Sequence, residues 1–273
     1  MRRMQTEPEL PDTTTTSRLL NAAPNFRDIG GLTTADGRSL RAGLIYRSDA
    51  LDELDSDDLE RLGSLAIKVC CDLRSDSERE QRPSRWPEGG APLTLAMAVA
   101  TDIRVLMPEL VKQLRDDPSA EGAAQLMRQL YRDLPVACAP VLARLFTMVV
   151  EEDDALPLVV HCTAGKDRTG FVIAMLLHAL GIPVETIIAD YLHTNQRGGR
   201  PQGLIKVGKL LEALIGVAAQ PDTLKMIMVA RTDYLDAAFA RIHEDHGSVD
   251  SYLAAVAGLD ESHRQRLRDK LLS

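Results

Sequence analysis

Residues 156–183 read LPLVVHCTAGKDRTGFVIAMLLHALGIP, and they restrict the folds open to this chain more than any other stretch. Residues 157–160 form a short apolar run of the kind a buried central strand needs. Residues 171–180 are apolar nearly all round, as in a helix enclosed on several sides, and Gly181 with Pro183 stops it. Between them lies a tight loop, 162–169, with Gly165 inside and Gly170 just past it. A strand feeding a helix through such a loop aims backbone N–H groups and the positive helix end at one point, which is an anion site. The pattern predicts an α/β domain, with a mostly parallel central sheet flanked by helices and this loop at the sheet's carboxyl edge.

The loop also carries reactive groups. Cys162 and Arg168 stand with five residues between them. A thiol beside a helix N-terminus and a cation ionises more readily than a free one. The backbone N–H groups of Thr163, Ala164, Gly165 and Lys166, with the forked Arg168, suit three phosphoryl oxygens while the Cys162 sulfur lies in line behind phosphorus. Thr169 is placed to donate its hydroxyl to that sulfur. His161 either orients the cysteine backbone or is a satisfied histidine at a strand end. Lys166 adds a second cation. A nucleotide-binding P-loop is excluded, because Gly165-Lys166 lacks both the earlier glycine and the Ser/Thr after lysine.

Elsewhere the chain reads as one enzyme domain over 22–273, after a leader at 1–21 whose polar, proline-bearing residues predict disorder. Residues 25–31 (NFRDIGG) enter a Gly-Gly turn, 43–48 (GLIYRS) read as a strand, and 56–62 as a helix capped by Ser56. Residues 67–73 (IKVCCDL) are a second buried strand, on which Cys70 and Cys71 face opposite ways as core residues. It ends at Asp72-Leu73-Arg74, where Arg74 either faces the site or forms a surface ion pair. Three helices are expected at 102–115, 120–131 and 140–152, with Asp133 at a helix end before Leu134-Pro135. Helices follow at 184–195, 233–247, 249–257 and 261–272. Between 204 and 218 apolar residues recur at helical spacing beyond the break at 197–201.

HCTAGKDRTG resembles the H-C-x5-R-[ST]-G signature of cysteine-dependent protein phosphatases. More narrowly it is similar to the form found in bacterial tyrosine and lipid phosphatases of the mycobacterial phosphatase B type. NFRDIGG, LIYRSDAL, DYLHTN and the segment 234–253 resemble further parts of that family, so the likeness runs from Asn25 to the C-terminus. The resemblance implies a protein tyrosine phosphatase-like fold with a helical lid inserted at 197–230, against which an ordinary core helix is the alternative. It also implies that Asp72 and Arg74 border the pocket. For the general acid it favours Asp167, with Asp72 as runner-up; the position of acids in many cysteine phosphatases raises Asp133 as well.

The expected function is hydrolysis of phosphate monoesters through a cysteinyl-phosphate, with no metal and no cofactor. Phosphotyrosine proteins are the first expected substrates. Phosphoinositides are the alternative, suited by Lys166, as is dual specificity; a non-catalytic phosphate-binding module is disfavoured because Cys162, Arg168 and Thr169 are all present. A formal net charge of −8 argues against nonspecific association with nucleic acid or anionic membrane. No stretch reads as apolar for long enough to span a bilayer. Four cysteines without metal or disulfide spacing suit a reducing compartment, so a cytoplasmic location is expected. The sequence carries no reading of oligomeric state.

Overall fold

The computed structural model describes residues 18–99, 108–197 and 220–273, together with positions 205, 207–209, 211–213, 216 and 218. Five strands form one sheet: β1 (Arg27–Asp28), β2 (Ile45–Ser48), β3 (Val69–Asp72), β4 (Leu93–Ala96) and β5 (Leu158–His161). Their order is β1-β2-β5-β3-β4, with β1 antiparallel to β2 and every other pair parallel. The all-apolar LVV of β5 suits its central place, and every residue of this strand is buried.

Strand alternation divides the core into two. Ile45, Val69, Cys71, Leu158 and Val160 face the larger helical layer, whereas Tyr46, Cys70 and Val159 face a smaller cluster with Leu20, Phe26, Leu54 and Leu62. The two adjacent cysteines therefore fill opposite cores, as their spacing predicts. Burial pushes both thiols up, Cys71 to about 12. Leu20 is fully buried, so packing begins within the expected leader rather than at residue 22; residues 1–17 lie outside the described residues.

Helices α1 (Ser56–Ser64) and α2 (Asp76–Gln81) follow β2 and β3. Asp55, not Ser56, caps α1, its carboxylate accepting the Asp58 N–H. Helix α3 (Pro108–Asp116) covers the described part of the expected 102–115 helix and runs one residue past it; residues 102–107 lie outside the described residues.

The two expected helices at 120–131 and 140–152 are one helix, α4 (Ala120–Glu151), which carries Pro135 and Pro140 in its interior. Proline removes a helical donor and crowds the preceding turn, which is why the sequence reads as broken there. Packing overrides it: α4 buries fifteen side chains, and the Pro135 carbonyl is taken up by the Tyr252 hydroxyl at 2.6 Å. By length and composition α4 is also apolar enough to cross a membrane, contrary to the sequence expectation, with a mean hydropathy of 1.6 over its most apolar stretch. Half of that stretch is buried within the fold, consistent with a core helix.

Helix α5 (Asp167–Leu180) packs against both β5 and α4, and Gly181 ends it in the left-handed conformation at φ +85°. Helix α6 (Val184–Arg197) leads into a helical insertion, of which positions 205, 207–209 and 211–213 are helical, followed by α7 (Pro221–Met228). The C-terminal helices α8 (Thr232–His246), α9 (Val249–Ala257) and α10 (Glu261–Leu271) all pack on α4. Phe171 is fully buried where α5 begins. Phe171→Ala is expected to lower unfolding free energy by about 3–5 kcal/mol, read as a shifted urea midpoint with little change in slope.

Candidate active site

Parallel pairing brings three strand ends level. Ser48 of β2 and Asp72 of β3 both pair with His161 of β5, so the segments leaving these strands emerge side by side at the carboxyl edge. The loop after β5 holds Cys162, 2% exposed, and the Gly165 N–H donates to its Sγ at 3.2 Å. Gly165 adopts φ +65°, and a Cβ there would stand 2.5 Å from the Ser48 carbonyl oxygen, so both conformation and space require glycine. Asp167 opens α5, which places the loop at the positive end of that helix.

Arg168 is nearly buried and held by Glu78 of α2, with Nη1–Oε2 at 2.8 Å and Nη2–Oε1 at 3.1 Å. Its Nη1 also donates to the Leu73 carbonyl at 3.3 Å, and Nη2 lies 3.5 Å from Thr163 Oγ1. Thr163 in turn donates its hydroxyl to Glu78. Burial alone would raise the Glu78 carboxyl, but Arg168, then Thr163, outweigh it and hold the group well below the ordinary range. The sequence reading did not single out Glu78. Its local signal was present: Ser75 and Glu78 form a reciprocal capping box at the start of α2.

The three candidate aspartates fall in different places. Asp72 is buried in a two-pronged pair with Arg74, Nε–Oδ1 at 2.9 Å and Nη2–Oδ2 at 2.7 Å, and the Arg74 N–H also donates to it. Burial pushes the Asp72 carboxyl up, but His161 and Arg74 more than reverse this. Arg74 is thus buried rather than on the surface, and its Nη1 and Nη2 also reach the Arg82 carbonyl and Ser84. Asp133 lies within α4 rather than at a helix end, 3.4 Å from Gln129, and makes no hydrogen bond or ion pair to the loop among the described residues. Asp167 is in the loop itself and keeps 32% of its side chain exposed. Tyr131 of α4 donates to Asp167 Oδ1 at 2.7 Å, and the Tyr131 and Tyr191 hydroxyls meet at 2.6 Å. Burial and the nearby Asp167 push the Tyr131 phenol well above its ordinary value, so it remains a donor. Nothing local in the sequence marks Tyr131.

Thr169 and Lys166 both depart from the sequence expectation. The Thr169 hydroxyl is buried without a hydrogen-bond partner, so the expected bond to the Cys162 sulfur is not formed. The Lys166 ammonium is buried and engaged by the carbonyls of Ile227 and Val229 at the end of the insertion, with Asp167 Oδ1 at 3.2 Å, rather than open to an incoming anion. His161 does contact the cysteine backbone: its Nδ1 lies 3.3 Å from the Cys162 carbonyl, and its Nε2 3.4 Å from Asp72. The Ala164 and Gly165 carbonyls both receive the Asn25 amide. Among the described residues no group of three His, Cys, Asp or Glu is placed to hold a metal ion.

This geometry stands on a chain that matches the model of the tyrosine phosphatase family over residues 19–273. The chain belongs to the tyrosine phosphatase family. It is 33% identical over 236 residues to a protein of Cupriavidus necator provisionally named a tyrosine-protein phosphatase, covering 86% of this chain and 82% of that one. It is 29% identical over 293 aligned positions to the triple specificity protein phosphatase PtpB of Mycobacterium tuberculosis, covering 93% of this chain and 99% of the relative. A tyrosine-protein phosphatase of Nostoc commune shares 24% identity, with 85% and 76% covered. The chain is a phosphatase of this family, with the tyrosine phosphatase-like fold and a helical insertion.

The paired carboxylates give the phosphatase a pH signature. Glu78 and Asp72 stay ionised in the fold to lower pH than in the unfolded chain, where 4.5 and 3.8 apply, so as pH falls the unfolded chain takes up protons first. Their stabilisation is complete above those values and is lost as pH drops through and below them. Thermal melts from pH 7 to pH 3 should show a steeper loss below pH about 4.5 in wild type than in Glu78→Gln, which lacks one such group.

Proposed function

We propose that this phosphatase hydrolyses phosphotyrosyl proteins through a cysteinyl-phosphate on Cys162. The observation that carries the reading is the convergence at one loop of the Cys162 sulfur, the inward Gly165 N–H and an Arg168 held by Glu78. The sulfur attacks phosphorus as the bond from phosphorus to the leaving oxygen breaks. Arg168 and the loop N–H groups, which include those of Gly165 and Lys166, hold the three equatorial oxygens. Asp167 gives its proton to the leaving oxygen. Water then attacks the phosphocysteine, losing a proton to Asp167, and orthophosphate leaves with the sulfur restored. Asp167 is favoured over Asp72 because Asp72 is closed in its pair with Arg74, whereas Asp167 is partly exposed at the loop and held by Tyr131. His161 supports the Cys162 carbonyl, and Asp72 with Arg74 supports the wall beside it.

The engagement of Lys166 by backbone carbonyls favours phosphoprotein over phosphoinositide, since it leaves the loop without the second cation that a lipid headgroup would use. The Mycobacterium tuberculosis relative is named a triple specificity protein phosphatase, which supports phosphoprotein substrates without confining them to phosphotyrosine. The insertion at 197–230 is proposed as a cover over the site, anchored to the loop through Lys166.

Cys162→Ser should lower kcat on p-nitrophenyl phosphate by at least about 1000-fold while orthophosphate still binds, checked by calorimetry. Turnover by the serine variant near the wild-type rate would sink the mechanism. The acid is read from leaving-group dependence. Asp167→Asn should slow phenyl phosphate by about 100-fold or more and p-nitrophenyl phosphate far less, because p-nitrophenolate leaves without a proton. Tyr131→Phe should show the same bias at about 3–10-fold, the value of one hydrogen bond. If Asp72→Asn or Asp133→Asn carries the bias instead, the assignment moves to that residue. Parallel assays on phosphotyrosyl peptides and phosphoinositide vesicles decide the substrate class.

A further inference from the structure

Three segments far apart in sequence, NFRDIGG, LIYRSDAL and DYLHTN, each deliver a polar side chain to one buried spot beneath the phosphate-binding loop. Asn25 Nδ2 donates to the Gly165 carbonyl at 2.9 Å and to the Ala164 carbonyl at 3.3 Å. Arg47 Nη2 donates to the same Gly165 carbonyl at 2.9 Å. Arg27 donates to the Asn25 carboxamide oxygen, which fixes the amide's orientation with its NH2 toward the loop. Asp190 of α6 joins the two arginines, accepting from Arg27 Nε at 3.1 Å and from Arg47 Nη1, while its carbonyl accepts from Arg27 Nη2 at 2.9 Å. Asn25, Arg27 and Arg47 are all buried.

A peptide unit is planar and trans, so its C=O and N–H point in opposite directions. The Ala164 carbonyl shares a plane with the Gly165 N–H, which donates to Cys162 Sγ. The Gly165 carbonyl shares a plane with the Lys166 N–H. Pulling both carbonyls away from the site therefore turns both N–H groups toward it. The left-handed Gly165 lets the two planes meet in this way, and a Cβ on it would stand 2.6 Å from Asn25 Nδ2. Burial pushes Asp190 up, but Arg27 and Arg47 outweigh it and hold it at about 2.

We infer that Asn25 and Arg47 are positioning residues for catalysis: they hold two loop peptides with their N–H groups turned into the site, that of Gly165 on the Cys162 sulfur, and Arg27 with Asp190 holds them in turn. None of the four is assigned contact with the substrate. The inference rests on the cysteinyl-phosphate reading above, and the test separates the two.

The variants are Asn25→Asp, which keeps the shape but sets an acceptor against two carbonyls, and Arg47→Lys, which keeps the charge but loses the fork. Each is assayed for kcat and KM on p-nitrophenyl phosphate and phenyl phosphate and for inhibition by vanadate, beside a thermal melt. Asn25→Asp is expected to lower kcat/KM and weaken vanadate inhibition together, by about 10–100-fold, less than the roughly 100–1000-fold of losing an oxyanion donor outright because the N–H groups remain but are misaligned. The ratio of rates on the two substrates should stay at the wild-type value, unlike that of an acid variant. Arg47→Lys should fall between. Folded variants that keep vanadate inhibition and kcat/KM within threefold of wild type overturn the inference, as does a lowered melting temperature with both constants unchanged. If Asn25→Asp does not fold, Asn25→Ser is read in its place. A wild-type protein inert to aryl phosphates would defeat the functional reading instead. Orthophosphate titration into Cys162→Ser, with and without Asn25→Asp, then still reads the loop, and equal affinities overturn the positioning role.

Discussion

Strand β5 is bound on both sides by parallel neighbours, and the site depends on that pairing. Because Ser48, His161 and Asp72 share one register position, the chain leaves three adjacent strands at the same height. From one neighbour the path runs through Arg74 to Glu78, which takes hold of Arg168. From the other it runs through Arg47 and the Ser48 carbonyl to the back of the loop. A one-residue slip in either pairing would turn alternate side chains to the wrong face and move both supports away from Cys162. The loop is short and glycine-bearing, and its shape is set from outside as much as by its own residues.

How legible this was in the sequence varied with the range of the interaction. The β5–loop–α5 unit is local: an apolar run, a glycine at the turn and an apolar helix stopped by Gly181 all lie within thirty residues, and the fold class follows from them. Helix α4 was misread because Pro135 and Pro140 are strong local breakers, and the tertiary packing that overrides them has no local trace. The Asp55 cap was displaced by one residue for a smaller reason of the same kind, since Ser56 is an equally good capping type. Reactive groups of the loop were readable by spacing, but their partners were not. Lys166 looked like a spare cation until Ile227 and Val229 were seen to engage it, and Tyr131 reaches Asp167 across 36 positions of chain. Thr169 shows the limit from the other side: residue type and place suited a bond to sulfur that the geometry does not form.

Charge at the site is arranged in closed pairs. Arg168 with Glu78, Arg74 with Asp72, and Arg27 and Arg47 with Asp190 each bury an arginine against a carboxylate with further hydrogen bonds. Such pairs gain little net stability over apolar packing, yet losing one partner leaves an uncompensated buried charge. They fix orientation, which is what a loop that must present several N–H groups to one anion requires.

Helix α4 touches α5, the insertion helix α7 and all three C-terminal helices, and it sends Tyr131 to the loop. It acts as a shared wall between layers that would otherwise be separate bodies. None of those helices can open alone without baring part of its apolar surface, so the layer behaves as a single cooperative unit.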